Sequence, residues 1–293
     1  MTSIIDQIKR LGLWDGPVEP EPVSGGITNE NFVVESGGRR YFVRTGEDIP
    51  VHGILRFNEL AASQAAYAAG LSPAVIYHEP GIMVLEHIEG MTFSEEDVCK
   101  TSNLERILPL VRTCHQEIPR HLRGPMLMFW VFHVVRDYAA TLEADGSRMK
   151  SKLPELLDLA QKLEEAVGPV DIVFGHNDLL AANFIDDGKR LWLIDFDYAG
   201  FNSPLFDLGG LASNNGLDEN QERWLLESYF EKPVDERLWV AYSAMKCTSL
   251  LRESMWSMVS EIHSALDVDY QSYTEENLAR FETAMQEFEA LRA

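Results

Sequence analysis

Gly175-His176-Asn177-Asp178-Leu179-Leu180-Ala181-Ala182-Asn183 runs into Phe184-Ile185, turns at Asp186-Asp187-Gly188, and returns through Leu191-Trp192-Leu193-Ile194-Asp195 to Phe196-Asp197-Tyr198. Two short apolar runs around an Asp-Asp-Gly turn read as a β-hairpin. In a hairpin closed near Gly188, the residues furthest from the turn come back to the same open end, so Asn183 and Asp195 face one point in space. Asp178 lies on the loop that feeds the first arm. Any one of these residues alone reads as an ordinary turn or cap. As a set at one end of apolar strands, they would be costly to leave without a ligand. Two carboxylates and an amide there suit a Mg²⁺ site of oxygen ligands, with one Asp left to orient a hydroxyl.

Working outward, the chain before this island opens β-rich. Asn31–Glu35 and Arg40–Arg44 flank Gly37-Gly38, two glycines that tolerate the positive φ values of a tight hairpin. A helix over 56–69 stops at Gly70, short strands follow near 74–78 and 82–86, and Gly90 reads as a hinge. A short amphipathic helix over 3–11 precedes all of this. Beyond Gly90 the apolar residues fall near helical period over 103–117, 126–143, 152–167, 219–230, 235–262 with a break, and 274–291. The pattern predicts an α+β protein: a small β-rich lobe over 1–89 and a larger, mainly helical lobe over 90–293.

The chain of 293 residues is 45% hydrophobic and 25% charged, which excludes disorder and small disulfide scaffolds. Lys+Arg 25 against Asp+Glu 47 gives a formal charge of -22, which would repel nucleic-acid phosphates and anionic lipid. No nucleic-acid partner is expected. Cys99, Cys114 and Cys247 fit neither a disulfide framework nor a zinc site and point to a reducing, cytoplasmic setting. No stretch reads as a signal or a membrane span. Neither G-x-G-x-x-G nor G-x-x-x-x-G-K-[ST] occurs, so Rossmann and Walker nucleotide sites are unsupported.

His176-x-Asp178-x4-Asn183 followed by Ile194-Asp195-Phe196-Asp197 resembles the catalytic and metal segments of kinase-fold small-molecule phosphotransferases. Asp195–Gly200 with Phe206-Asp207-Leu208-Gly209 is similar to the choline/ethanolamine kinase branch, as is Leu251–Ser257 with Leu266–Tyr270. The resemblance runs from about residue 23 to 283. It implies a two-lobed protein-kinase-like fold and an ATP- and Mg²⁺-dependent kinase of a small cationic amino alcohol such as choline or ethanolamine. Asp178 would be the catalytic aspartate, with Asn183 and Asp195 holding Mg²⁺ against the phosphates. Ser24, Gly25, Gly26, Thr28 and Asn29 would form the nucleotide loop.

Arg44 stands where protein kinases carry a lysine, with Glu59, or else Glu47 or Asp48, as its ion-pair partner. Trp256, Tyr270 and Glu253 would meet the ammonium group of the acceptor, with Tyr273 nearby, by cation–π attraction and charge. Glu253 departs from the eukaryotic choline kinases, which usually place another tryptophan there, and this favours ethanolamine or another amino alcohol. Asp207 would brace the catalytic loop, and His176 reads as structural. A different hydroxyl acceptor, such as an aminoglycoside or thiamine, and a catalytically silent binding protein are the competing readings.

Overall fold

The computed structural model describes residues 3–23 and 29–292, so the expectations for Ser24, Gly25, Gly26 and Thr28 lie outside the described residues. Helix α1 (Ile4–Lys9) precedes strands β1 (Glu21–Val23), β2 (Glu30–Ser36) and β3 (Arg39–Thr45), helix α2 (Arg56–Ala68), and strands β4 (Val75–Glu79) and β5 (Ile82–Glu86). Among the described residues these strands form an antiparallel sheet in the order β1-β2-β3-β5-β4. Gly37 and Gly38 take φ of 58° and 72° in the β2–β3 turn, as the hairpin requires. Side chains alternate across a strand. Val43 therefore joins Phe32, Val34 and Val84 in a core capped by Ile8 and Leu11, while Arg44 faces the other way.

The mainly helical part follows β6 (Met91–Thr92) and α3 (Glu95–Val98) with α4 (Thr101–Gln116), α5 (Ile118–His121), α6 (Val131–Ala144) and α7 (Leu153–Val167). Strands β7 (Val173–Gly175), β8 (Phe184–Asp186), β9 (Leu191–Leu193) and β10 (Gly200–Asn202) are set among helices, and α8 (Pro204–Asn215), α9 (Glu219–Phe230), α10 (Glu236–His263) and α11 (Tyr270–Ala290) complete the chain. This is the kinase-like arrangement of a small antiparallel sheet against a helical body. At Gly90 the backbone passes so close to β8 that an added Cβ would lie 2.6 Å from the Asp186 carbonyl oxygen. Helix α2 buries Ala62, Ala65 and Ala66 in the same apolar cluster as α4 to α8, although sequence order puts it with the sheet. Among the described residues no helix is long and apolar enough to cross a membrane.

Two sequence expectations differ from the structure. Residues 126–130 are not helical: Phe129 N–H donates to Phe201 O at 2.9 Å, and Leu127 N–H donates to the Asn58 side chain at 3.1 Å. Those partners lie in β10 and α2, and they take the backbone that α6 would otherwise use. The expected break in 235–262 is absent, and α10 is continuous over 28 residues.

Candidate active site

The loop after β7 is fixed from below by one acid. Asp207, in the first turn of α8, accepts the His176 N–H at 2.8 Å and the Asn177 N–H at 2.7 Å, and meets His115 Nε2 at 2.9 Å. Burial opposes its charge, but the His115 hydrogen bond and charge outweigh burial and hold Asp207 below the usual carboxylate range. Asn177 takes φ 65°, a left-handed conformation Asn tolerates. Its amide donates to Tyr198 O at 2.9 Å and Gly200 O at 3.2 Å, tying the loop to the segment after Asp197. Gly175 is required here, since a Cβ would lie 2.7 Å from Asn177 Oδ1. His176 is wholly buried; its Nε2–H donates to Ile194 O at 2.9 Å, and burial lowers its pKa. It acts as a neutral spacer between the two motifs, the structural role expected of it.

The hairpin delivers the next two groups. β8 pairs with β9 at Phe184↔Leu193, and Ile194 N–H donates to Asn183 O at 3.0 Å, carrying the ladder to the open end. Asn183 Nδ2 donates to Asp178 O at 2.8 Å, which fixes the amide and leaves the side-chain carbonyl oxygen to accept. Asp195 follows at φ 67° with its side chain 28% exposed. Asp178, half-buried on the braced loop, is pushed up to about 8 by burial. Arg252 acts against that rise; Glu253, Asp195 and Asp197 add to it.

Arg44 is the electrostatic centre. It reaches Glu59 Oε1 at 2.5 Å, both oxygens of Asp195 at 2.9 and 2.6 Å, and Asp197 Oδ1 at 3.3 Å. Arg56 bridges Glu59 at 2.7 Å, Asp197 at 2.9 Å and the Asn29 side chain at 2.6 Å, while Asn29 donates to Asp197 at 3.0 Å. Glu47 and Asp48 are used elsewhere. The Glu47 carbonyl accepts Arg56 Nε–H at 3.0 Å, and the Asp48 carboxylate accepts the first N–H of α2 at 2.7 Å. Glu59 is therefore Arg44's partner of the three. Burial works against the two carboxylates beside Arg44, yet the bidentate guanidinium holds Asp195 below its ordinary range, while burial pushes Asp197 up to about 7. Two arginines among three acids leave the cluster near neutral when Asp197 is protonated, and they tie the sheet, α2 and the hairpin end into one unit.

The acceptor candidates do not all meet one space. Trp256 is 6% exposed; its Nε1–H donates to Tyr198 Oη at 2.8 Å, and its ring stands 5.1 Å from His52 and 6.1 Å from Tyr270. Trp256, Tyr270, His52, Asn29 and Ser260 line a cavity of about 530 Å³ whose described lining includes none of Asp178, Asn183, Asp195 or Glu253. Tyr270 is held by Ser264 at 2.9 Å. Glu253 sits on the Asp178 side, accepting from Tyr273 Oη at 2.8 Å and from Arg252 Nη1 at 2.9 Å. It is not the free acid the sequence suggests.

The donor set fits a Mg²⁺ ion. Asn183 offers a carbonyl oxygen and Asp195 a partly exposed carboxylate whose Oδ2, which accepts from Arg44 alone, can accept once more. Among the described residues no group of three His, Cys, Asp or Glu could hold a metal by itself. That suits an ion bound by one or two protein oxygens and completed by phosphate and water. Sequence reasoning missed Arg56, Asp197 and Arg252 as site residues. Arg56 had a usable signal in its i,i+3 spacing to Glu59 on a helix first turn. Asp197 stood in the quoted motif, and Arg252 is a charge in an otherwise buried helical stretch.

A family model described as choline/ethanolamine kinase matches residues 21–237. Protein LicA of Haemophilus influenzae (strain ATCC 51907 / DSM 11121 / KW20 / Rd) is 26% identical over 258 residues, covering 83% of this chain and 94% of that one. Ethanolamine kinase 2 of Mus musculus is 27% identical over 245 residues, covering 74% and 63%. The crystal structure of a choline/ethanolamine kinase family protein from Mesorhizobium loti superposes with a TM-score of 0.78 at 27% identity, covering 98% of this chain and 95% of that one. With the family model matched over well more than half its length and the braced loop, hairpin and arginine cluster in place, the chain belongs to the choline/ethanolamine kinase family of alcohol phosphotransferases.

Proposed function

We propose that the protein transfers the γ-phosphoryl group of ATP, with Mg²⁺, to the hydroxyl of a small amino alcohol of the choline or ethanolamine class. The observation that carries this is the convergence of Asp178, Asn183 and Asp195 at one end of the hairpin, on a loop braced by Asp207. The hydroxyl oxygen bonds to the γ-phosphorus, the bond from that phosphorus to the ADP oxygen breaks, and the hydroxyl proton passes to Asp178. Mg²⁺, when bound, neutralises charge on the phosphates. Asn183 and Asp195 would hold it, and Arg44 and Arg56 keep Asp195 and Asp197 in place. The role of Ser24, Gly25, Gly26 and Thr28 at the nucleotide phosphates is proposed from the sequence resemblance, and Asn29, next to them in the chain, is the described residue of that set. The test is ADP release with a panel of choline, ethanolamine, thiamine and an aminoglycoside. Turnover should be greatest with an amino alcohol, and no release above the ATPase background with any of them overturns the assignment.

Two further outcomes follow. Because burial pushes Asp178 up to about 8, the free enzyme at pH 6 carries its proton there and lacks a base. The acid limb of kcat/KM should therefore rise about tenfold per pH unit and level near pH 8; a flat profile between pH 6 and 9 would remove Asp178 as the titrating group. Trp256→Ala should cost about 3–5 kcal/mol of stability, since it empties a packed site and strips Tyr198 Oη of a donor. If the indole also faces the ammonium group, the acceptor KM rises about 2–30-fold while the ATP KM stays put. A melting shift with both KM values unchanged places Trp256 in the core alone.

A further inference from the structure

His52 is a buried imidazole that the chemistry above leaves unused. It ends a short turn between β3 and α2, Pro50–His52, and the chain around that turn fixes where the ring goes. Ile49 and Ile54 bond to each other across the turn at 2.8 and 3.2 Å, and Gly53 takes φ 70° to close it. The Asp48 carboxylate accepts the first N–H of α2 and the Glu47 carbonyl holds Arg56, so the turn is anchored to the helix start that carries part of the ion cluster. From there the ring reaches α10 and α6, where Nε2 meets Ser260 Oγ at 3.1 Å and Nδ1 meets Tyr138 Oη at 3.4 Å.

Between those two helices the imidazole lies against the indole of Trp256. The ring centroids are 5.1 Å apart and the planes differ by 31°, while Tyr138 meets the imidazole at 5.9 Å and 84°. The indole is thus held at its nitrogen by Tyr198 and against its ring by His52. His52, Trp256, Ser260 and Tyr270 share the lining of the cavity of about 530 Å³, which also includes Glu30 and Glu47 and, among the described residues, no lysine or arginine. Aromatic walls and acids without a fixed cation suit an ammonium ion. Burial above all, with the charges of Arg252 and His263 after it, lowers the His52 pKa to about 3. The imidazole therefore stays neutral and sets no positive charge beside the indole.

We propose that His52 is a positioning residue of the acceptor site, holding Trp256 in the orientation that meets the acceptor's ammonium group. This rests on the amino-alcohol kinase reading and adds to it a residue delivered by the turn after β3, far in sequence from the helix it serves. The transfer itself is unchanged, with the hydroxyl reacting at Asp178 and the phosphates at the hairpin end. His52 acts through the indole, so its effect falls on acceptor binding and spares both kcat and ATP.

The experiment measures kcat, both KM values and the melting temperature of the full-length protein, with whichever of choline and ethanolamine the parent turns over faster. His52→Ala should raise the acceptor KM about 3–10-fold, within the range that a weakened cation–π contact spans, and leave kcat and the ATP KM within about twofold. His52→Gln keeps a polar group toward Ser260 and loses the ring, and it should behave as His52→Ala does. His52→Phe returns a flat ring to the indole, so the acceptor KM should come back to within about twofold of the parent even where the melting temperature does not. The double variant combining His52→Ala with Trp256→Ala should show the acceptor KM of Trp256→Ala alone, because changes that act through one contact do not add.

A lowered melting temperature with an unchanged acceptor KM makes His52 a core residue and overturns the proposal, leaving the kinase assignment standing. So do acceptor and ATP KM values that rise together, and losses that add in the double variant. If the alanine variants do not fold, His52→Phe beside His52→Gln decides, with equal acceptor KM values in the two overturning the role of the ring. Turnover of no alcohol at all overturns the kinase assignment itself. Calorimetric titration of choline and ethanolamine into the parent and into His52→Gln then still reads the pocket, and equal binding, or none, overturns the role of His52.

Discussion

Asp178→Asn should lower kcat by about 10²–10⁴ while the KM for ATP stays within about twofold. The carboxylate serves the acceptor hydroxyl, and the groups placed toward the phosphates, Asn183 and Asp195, keep their own supports. Asn183 bonds to the Asp178 main-chain carbonyl, which the substitution leaves intact. Fold stability gives a second readout with a definite sign. The folded-state pKa of Asp178 is raised to about 8, so its ionisation costs the folded state more than the unfolded chain as pH climbs from about 4 toward 8. Removing the ionisable group removes that cost, so the variant should melt at or above the parent temperature at pH 8, with the difference shrinking toward pH 4. A variant that keeps more than half the parent activity, or that melts well below it at pH 8, makes Asp178 a structural residue.

The site was legible where its geometry is local. The turn at Gly188 and the two apolar arms are enough to bring Asn183 and Asp195 together, because a hairpin's register follows from its turn. The choice of Glu59 over Glu47 and Asp48 was not legible, since it depends on Asp48 and the Glu47 carbonyl being consumed by the start of α2.

Helix α10 carries Thr248, Ser254 and Ser257 within its buried stretch, where a break in 235–262 was expected. In the structure each hydroxyl bonds back to a carbonyl of its own helix, to Ala244, Leu250 and Ser254 respectively, all at 2.8 Å, and the helix runs on. Helix α8 entered the sequence reading only through the Phe206–Gly209 motif, and its Gly209-Gly210 pair has low helix propensity. Close packing explains the first of the pair: a Cβ on Gly209 would lie 3.0 Å from the Lys246 backbone nitrogen in α10. The pairing of Arg252 with Glu253 lies beyond sequence reasoning for the same reason. Burial is a property of packing, and Glu253 by itself reads as a free acid.

Asp195→Ala should abolish Mg²⁺-supported turnover, a loss of about 10³-fold or more, because the carboxylate is the one acidic ligand the hairpin end offers beside Asn183. Raising Mg²⁺ should not restore it. The competing account is that Asp195 only neutralises Arg44, and the two accounts predict different stabilities. Arg44 keeps Glu59 at 2.5 Å and Asp197 at 3.3 Å after the substitution, so the buried cation is still compensated. The variant should fold, melting within a few degrees of the parent.

Arg44→Met is the contrasting change. It leaves Glu59, Asp195 and Asp197 facing one another with only Arg56 among them, and breaking a buried pair in this way costs about 3–5 kcal/mol. Asp195 is held below its ordinary pKa by Arg44, so part of that loss should fade as the medium is acidified through the carboxylate range and Asp195 takes up its proton. A stable, inactive Asp195→Ala beside an unstable Arg44→Met assigns the metal to Asp195 and the scaffold to Arg44. An Asp195→Ala variant that turns over normally at ordinary Mg²⁺, or that is as unstable as Arg44→Met, sinks the metal assignment.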